Sequence, residues 1–116
     1  MKKLLAILAL LSYASTSAAV THYGHGVPVS VVVNSSAIVY VYFDPSTQVS
    51  GAIPTCETYT GGALRVVFDS STPGGKSMLA TLLMAHGTGD PLYYFGSGDC
   101  ALFSTDESLT SLDYNN

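Results

Sequence analysis

Alternating residues near the start of the chain predict a β-hairpin. In residues 27–34 valines recur at every second position, opposite Pro28, Ser30 and Asn34, which is the periodicity of a strand. Residues 38–43 are β-branched or aromatic, a composition that favours strands. A turn signal, Asn-Ser-Ser, separates the two runs, so we expect them to pair as a hairpin.

The middle of the chain changes from a strand period to a helical period. Residues 57–60 predict a short strand, and residues 64–69 predict a longer one with apolar side chains on one face. Helical spacing follows, in an apolar stripe that we expect to anchor a helix on the sheet: Met78, Leu79, Leu82 and Leu83.

The ends of this helix carry capping signals. Ser71 or Thr72 suits the N-cap, and Pro73 suits the first helical position. Gly87 and Gly89 are suited to ending the helix.

Two further strands are predicted at residues 92–95 and 109–114, after the helix. Short strands with one helix indicate a β-rich α+β domain, either a small OB-like barrel or a twisted antiparallel sheet with one covering helix. The pattern leaves open whether the helix joins parallel strands or caps the end of a barrel.

The N-terminus has the features of a bacterial signal peptide. Met1-Lys2-Lys3 is a positive start, residues 4–11 are apolar, and small residues lead to Ala18-Ala19. We therefore expect a signal peptide over residues 1–19, a single mature domain over residues 20–116, and a secreted or periplasmic location. Cleavage one residue earlier and retention as an uncleaved anchor are the alternatives. The mature chain has no predicted membrane span.

Cys56 and Cys100 are the two cysteines of the chain. In an exported protein they are expected to form one disulfide, with two free thiols as the alternative. Closing the loop between residues 56 and 100 stabilises a fold by about 4 kcal/mol in the chain-entropy model.

The charge of the mature chain argues against two classes of partner. Arg65 and Lys76 are its only strong bases, against eight Asp and Glu residues. A phosphate backbone would be repelled, which disfavours nucleic acid. No basic amphipathic stretch indicates binding to a membrane surface.

Catalytic motifs are weak. Residues 68–77 end in Gly-Lys-Ser before the helix, but Ser70 stands where a nucleotide-binding loop needs glycine. No serine lies in a Gly-x-Ser-x-Gly elbow, and Asp99, Asp106 and Glu107 are the available acid/base candidates. We expect no enzymatic activity and no cofactor.

The N-terminus of the mature chain has one metal-binding pattern. After cleavage at residue 19, a free amine is followed two residues later by His22, with His25 three residues beyond. Amine, two amides and imidazole can hold Cu(II) or Ni(II) in a square plane. A mobile polar tail is the alternative.

Tyrosines are the best candidates for ligand or interface contacts. Tyr40 and Tyr42 share one face of their predicted strand, opposite an aliphatic face suited to the core, and Tyr93 and Tyr94 lie on a later strand. Tyrosine combines an apolar ring with a polar hydroxyl, which suits interfaces. Ordinary strand tyrosines without a partner are the alternative.

The second half of the chain resembles a group of small exported bacterial proteins. The resemblance lies in one set of segments: Cys56, residues 67–69, 71–76 and 82–86, Gly89, and residues 94–100 and 107–109. More distantly, the strand–helix–strand order resembles the OB-fold B subunits of subtilase-cytotoxin and pertussis-like toxins. That resemblance implies glycan binding and assembly into a homo-oligomer.

Taken together, these patterns predict a secreted, non-enzymatic binding module, for a glycan and with self-assembly. The alternatives are a structural or inhibitory envelope protein with a protein partner, and a Cu(II)/Ni(II)-binding protein that uses its mature N-terminus.

Overall fold

The computed structural model describes residues 22–114. The predicted signal peptide, its cleavage site and residues 20–21 lie outside this range. The described chain runs in the order β1 (Tyr23–Gly26), β2 (Ser30–Val33), β3 (Ile38–Phe43), a 3₁₀ turn (Pro45–Thr47), β4 (Gln48–Ser50), β5 (Leu64–Asp69), α1 (Pro73–Thr88), β6 (Leu92–Gly96) and β7 (Glu107–Asp113).

The strands form one mixed sheet in the order β2-β3-β5-β7-β6-β1-β4. All neighbours pair antiparallel except β5 and β7, which are parallel. Since β6 is antiparallel to β7, it is also antiparallel to β5, so α1 does not join parallel strands. The β-rich α+β class with one helix is confirmed. The sheet is open at β2 and β4, so the alternative of a closed OB-like barrel is wrong, and the expected antiparallel sheet contains one parallel pair.

The sheet curls strongly around the core. Phe43 on β3 and Tyr94 on β6 are three strands apart in the sheet, which is about 14 Å in a flat sheet. Their rings nevertheless stack with centroids 3.8 Å apart. This curvature brings β3 and β6 onto one core, which β5, β7 and α1 complete: Val39, Val41, Phe43, Leu64, Val66, Phe68, Leu82, Ala85, Leu92, Tyr94 and Leu109.

The ends of α1 follow the predicted capping signals except at Gly87, which lies inside the helix. The Thr72 hydroxyl accepts a hydrogen bond from the backbone N–H of Gly75, and Pro73 begins the helix. Gly89 ends it at a positive φ of 72°, with its N–H bonded to the Ala85 carbonyl. This left-handed conformation strains other residue types, which explains the glycine.

The prediction that Leu83 anchors α1 is wrong. Leu82 is fully buried, whereas Leu83 is 49% exposed. Successive helical residues are rotated by about 100°, so two adjacent leucines do not share a face. Ala85, three residues after Leu82, lies on the buried face instead.

The strands vary in how closely they match the sequence pattern. The bounds of β3 and β5 agree with the predicted runs, and β2 and β3 form the predicted hairpin. No strand forms at residues 57–60. The strand β1 was not predicted because two of its four residues are glycine. Gly24 is needed there, since a Cβ at this position would lie 2.2 Å from the ring of Tyr94.

The predicted disulfide is confirmed. Cys56 is bonded to Cys100, with Cα atoms 6.1 Å apart and a sequence separation of 44. The bond ties the loop before β5 to the loop before β7. Among the described residues, no helix combines the length and apolar character needed to cross a bilayer.

Candidate functional site

Three tyrosines gather on the outer face of the sheet. Tyr40 and Tyr42 alternate along β3 with fully buried core residues, so the predicted division of this strand into two faces is confirmed. Tyr59, from the loop before β5, packs edge-on against Tyr42 with ring centroids 5.7 Å apart. We call Tyr40, Tyr42 and Tyr59 the tyrosine platform.

Arg65 holds the platform together from the neighbouring strand. It lies opposite Tyr42 in the β3–β5 register. Its guanidinium carbon is 4.1 Å from the ring centroid of Tyr59 and 5.3 Å from that of Tyr40, within the range of cation–π attraction. Two hydrogen bonds of 2.9 and 3.0 Å to Asp106 fix the guanidinium in this position. The platform is therefore preorganised.

A cavity of about 160 Å³ adjoins the platform and shares Tyr59 with it. We call it the Glu57 cavity. Its walls come from the 3₁₀ turn, β4, the loop before β5 and the start of β5: Pro45, Gln48, Ile53, Glu57, Tyr59, Ala63 and Leu64. The lining is mostly apolar with one amide and one carboxyl group, which is the usual make-up of a small-molecule pocket.

The carboxyl group of Glu57 is held at one oxygen only. Its Oε2 accepts a hydrogen bond from the backbone N–H of Glu107, while its Oε1 is buried without a partner. Burial raises the pKa of Glu57 to about 7, and the nearby charges of Asp106 and Glu107 add to the rise. The hydrogen bond from Glu107 and the charge of Arg65 act in the opposite direction. Glu57 therefore changes charge close to neutral pH.

This raised pKa predicts a pH-dependent stability. The pKa of about 7 in the folded chain exceeds the ordinary value of 4.5, so the contribution of Glu57 is full below pH 4.5 and is lost as the pH rises through 7. We expect the wild type to lose about 1–3 kcal/mol of unfolding free energy from this group between pH 5 and pH 8, after allowance for solvent screening. Glu57→Gln is expected to lose less unfolding free energy between pH 5 and pH 8, because glutamine does not ionise.

Urea denaturation of both proteins at the two pH values measures this difference. Asp113→Asn, at an exposed position at the end of β7, is the matched control and is expected to behave as wild type. The same pH dependence in wild type and Glu57→Gln would contradict the assigned protonation.

Beneath the outer face lies a second polar pair. Nδ1 of His22 is 2.6 Å from Oε1 of Glu107, and both side chains are fully buried. Oε2 of Glu107 accepts a further hydrogen bond from the Gly98 N–H. A Cβ at Gly96 would lie 2.3 Å from this carboxyl group, so the glycine makes room for it. Nε2 of His22 is buried without a partner. Because both side chains are shielded from solvent, a ligand arriving from solution cannot contact them. The pair therefore stabilises the fold.

The structure does not bring the two candidate metal ligands together. His22 is buried, whereas His25 is exposed and stacks on Tyr93 with ring centroids 4.2 Å apart. Between residues 22 and 114, no group of three His, Cys, Asp or Glu side chains could hold a metal ion. A square-planar complex at the mature N-terminus would need the His22 ring, whose Nδ1 is engaged by Glu107. Residues 20 and 21 lie outside the described range.

The other two candidate tyrosines lie on opposite faces of β6. Tyr93 is 36% exposed, but Tyr94 is fully buried, stacks on Phe43 and shares a hydrogen bond with the hydroxyl of Thr47. Tyr94 is therefore a core residue and has no surface to offer a ligand. Leu92, two residues before Tyr94, is also buried, so the two side chains share the core face of β6 while Tyr93 lies on the other face; this alternation is the sequence signal that separates Tyr94 from Tyr93.

Three contributors to the site were missed by the sequence reasoning. Glu57 and Tyr59 lie in an irregular loop, where no periodicity indicates which way a side chain points. Arg65 could have been found, because it is the one charged residue inside the apolar run of β5 and alternates with its buried positions. Asp106 and Glu107, noted as possible acid/base residues, are fully buried.

Comparison of the chain with protein-family models, with curated proteins and with solved structures finds no match. The resemblance to toxin B subunits stays a prediction.

Proposed function

We propose that the protein is an exported, non-enzymatic binding module that takes a glycan at the tyrosine platform and the adjoining Glu57 cavity. The observation that carries this proposal is the position of Tyr59. Its ring belongs both to the platform and to the wall of the cavity, so one ligand can contact both.

The chemistry of the site suits a sugar. A sugar ring has an apolar C–H surface that can lie on a tyrosine ring, and hydroxyl groups around its edge that need hydrogen-bond partners. Gln48 and Glu57 line the cavity and offer an amide and a carboxyl group. Arg65 and Asp106 already hold the platform in place, which reduces the ordering that binding requires.

The proposal that the protein is not an enzyme is supported by the burial of its polar residues. His22, Asp106 and Glu107, the residues with the strongest polar contacts, are fully buried and occupied by one another or by neighbouring groups. Substrate contact is blocked at these side chains.

Export is supported by the predicted signal peptide and by the disulfide, since disulfides persist in oxidising compartments.

A protein partner is the second candidate, in a structural or inhibitory role in the cell envelope. Leu102 and Phe103 are both 40% exposed, and Phe103 contacts Tyr40 edge-on. They extend the platform with an apolar margin, and exposed apolar surface of this kind is typical of protein interfaces.

The experiment starts with a glycan array probed with the mature protein, residues 20–116. A glycan that binds is then titrated into wild type, Tyr42→Ala and Tyr59→Ala. Each variant is expected to bind about 5- to 30-fold more weakly, the range for loss of a contact worth 1–2 kcal/mol. Tyr93→Ala, an exposed tyrosine of β6 outside the platform, is the matched control and is expected to bind as wild type.

Circular dichroism on the same samples shows whether the variants fold. Folded platform variants with wild-type affinity would contradict the proposal. An array without any bound glycan would also contradict it and would favour the protein partner.

A further inference from the structure

The two edges of the sheet differ in length. One edge strand, β4, has three residues, whereas the other, β2, has four and is paired only with β3. An edge strand presents unpaired N–H and C=O groups, for which another strand is the natural partner.

The alternation of hydrogen bonds identifies the free backbone groups of β2. In its register with β3, Val32 lies opposite Tyr40, and the Asn34 N–H is bonded to the Ile38 carbonyl two residues further along. Hydrogen-bonded and non-hydrogen-bonded pairs alternate in an antiparallel ladder. The backbone groups of Val31 and Val33 therefore point away from β3 and towards the open edge.

The β2 edge lacks the charges that usually prevent strand pairing. Residues 26–43 contain no charged side chain, although the mature chain is acidic. Val32 and Val33 are 45% and 49% exposed. Natural edge strands are commonly protected by lysine, other charges or a bulge. Two copies of this segment can thus approach without bringing like charges together.

Helix α1 adds apolar surface next to this edge. Nδ1 of His86 lies 2.9 Å from the Pro28 carbonyl oxygen, which places the C-terminal half of the helix beside the start of β2. Leu83, one helical turn before His86, is 49% exposed. Strand and helix together form a neutral, apolar margin.

We propose that the occupant of the β2 edge is the β2 strand of a second copy, paired antiparallel in a two-fold symmetric dimer. A two-fold contact brings the same patch of both copies together. Because this segment carries no charge, its two copies do not repel each other. In this dimer the outward N–H and C=O groups of Val31 in one copy bond to those of Val33 in the other copy. Val32 then lies opposite Val32 of the second copy, on the symmetry axis.

The dimer has a consequence that rests on the proposed function. A two-fold axis between antiparallel strands runs perpendicular to the sheet, so the outer faces of both copies point the same way. Tyr40 and Tyr42 lie on that face of the adjoining strand β3. The dimer would present two platforms side by side, which raises the apparent affinity for a multivalent glycan surface.

Sedimentation of the mature protein tests the dimer directly. Wild type is expected to sediment with twice the monomer mass. A lysine in the β2 edge, Val32→Lys, is expected to halve that mass without changing the circular dichroism spectrum. Val49→Lys places the same lysine on the β4 edge, at a position that is 55% exposed, and is expected to stay dimeric.

A second variant tests the register. Val32→Cys is expected to crosslink to its copy under oxidising conditions, giving a dimer on a non-reducing gel. Monomeric wild type, or dimers that persist in Val32→Lys, would overturn the inference. Glycan binding is measured separately with a monovalent ligand, for which Val32→Lys should keep wild-type affinity, so failure of the dimer and failure of the proposed function are distinguishable.

Discussion

Replacing Glu107 with alanine is expected to lower the free energy of unfolding by about 4 kcal/mol, the magnitude found when one partner of a buried ionisable pair is removed. The Glu107 carboxyl group accepts from the Gly98 N–H and pairs with Nδ1 of His22. Since Nε2 of His22 has no partner, the variant would leave the whole buried imidazole unpaired. Desolvated polar groups without partners are strongly destabilising.

Urea denaturation of Glu107→Ala, Glu107→Gln and Asp113→Ala measures this effect. The glutamine keeps an acceptor oxygen and is expected to fall between wild type and the alanine variant. Asp113 lies at the exposed end of the same strand, and its replacement is expected to change stability by less than about 0.5 kcal/mol. A loss below 1 kcal/mol in Glu107→Ala would show that the pair is not buried as described.

Removing the disulfide is expected to destabilise the fold by a similar amount. Cys56 and Cys100 are 44 positions apart, and opening a loop of that length corresponds to about 4 kcal/mol in the chain-entropy model. The bond also anchors the loop that carries Glu57 and Tyr59, since Cys56 directly precedes Glu57. We therefore expect the double change Cys56→Ser and Cys100→Ser to weaken ligand binding as well as the fold.

Thermal and urea unfolding of the double serine variant test this expectation. Two outcomes can be separated by measuring binding at low temperature, where the variant is still folded. Wild-type stability in the variant would contradict the structural role of the bond. Wild-type affinity in a destabilised variant would show that the hydrogen bond between Glu57 and the Glu107 backbone is enough to hold the loop.

The elements that the sequence predicted well are those with a strong local signal. A β-branched, alternating run defines β3, and a capping threonine followed by proline defines the start of α1. By contrast, β1 and β4 are short and contain glycine or polar residues. Their strand conformation depends on pairing with each other and with β6, which no local pattern records. Barrel closure was unpredictable for the same reason, since it depends on whether two distant edges meet.

The candidate site divides in the same way. The outer position of Tyr40 and Tyr42 follows from alternation along β3, and it could be predicted. Tyr59 and Glu57 come from an irregular loop, and their positions depend on tertiary contacts with Tyr42, Arg65 and Glu107. The burial of His22 depends on its pairing with a residue 85 positions away. Sequence periodicity carries no information about contacts of this kind.

The proposed ligand site lies where the tyrosine platform meets the Glu57 cavity. The most direct measurement is a nuclear magnetic resonance titration of the isotope-labelled mature protein with the glycan selected on the array, following the backbone amides. Binding at this site is expected to give the largest shifts at Tyr42, Gln48, Glu57 and Tyr59, with little change at Tyr93. Shifts concentrated on β6 and β1, with the platform unchanged, would contradict it.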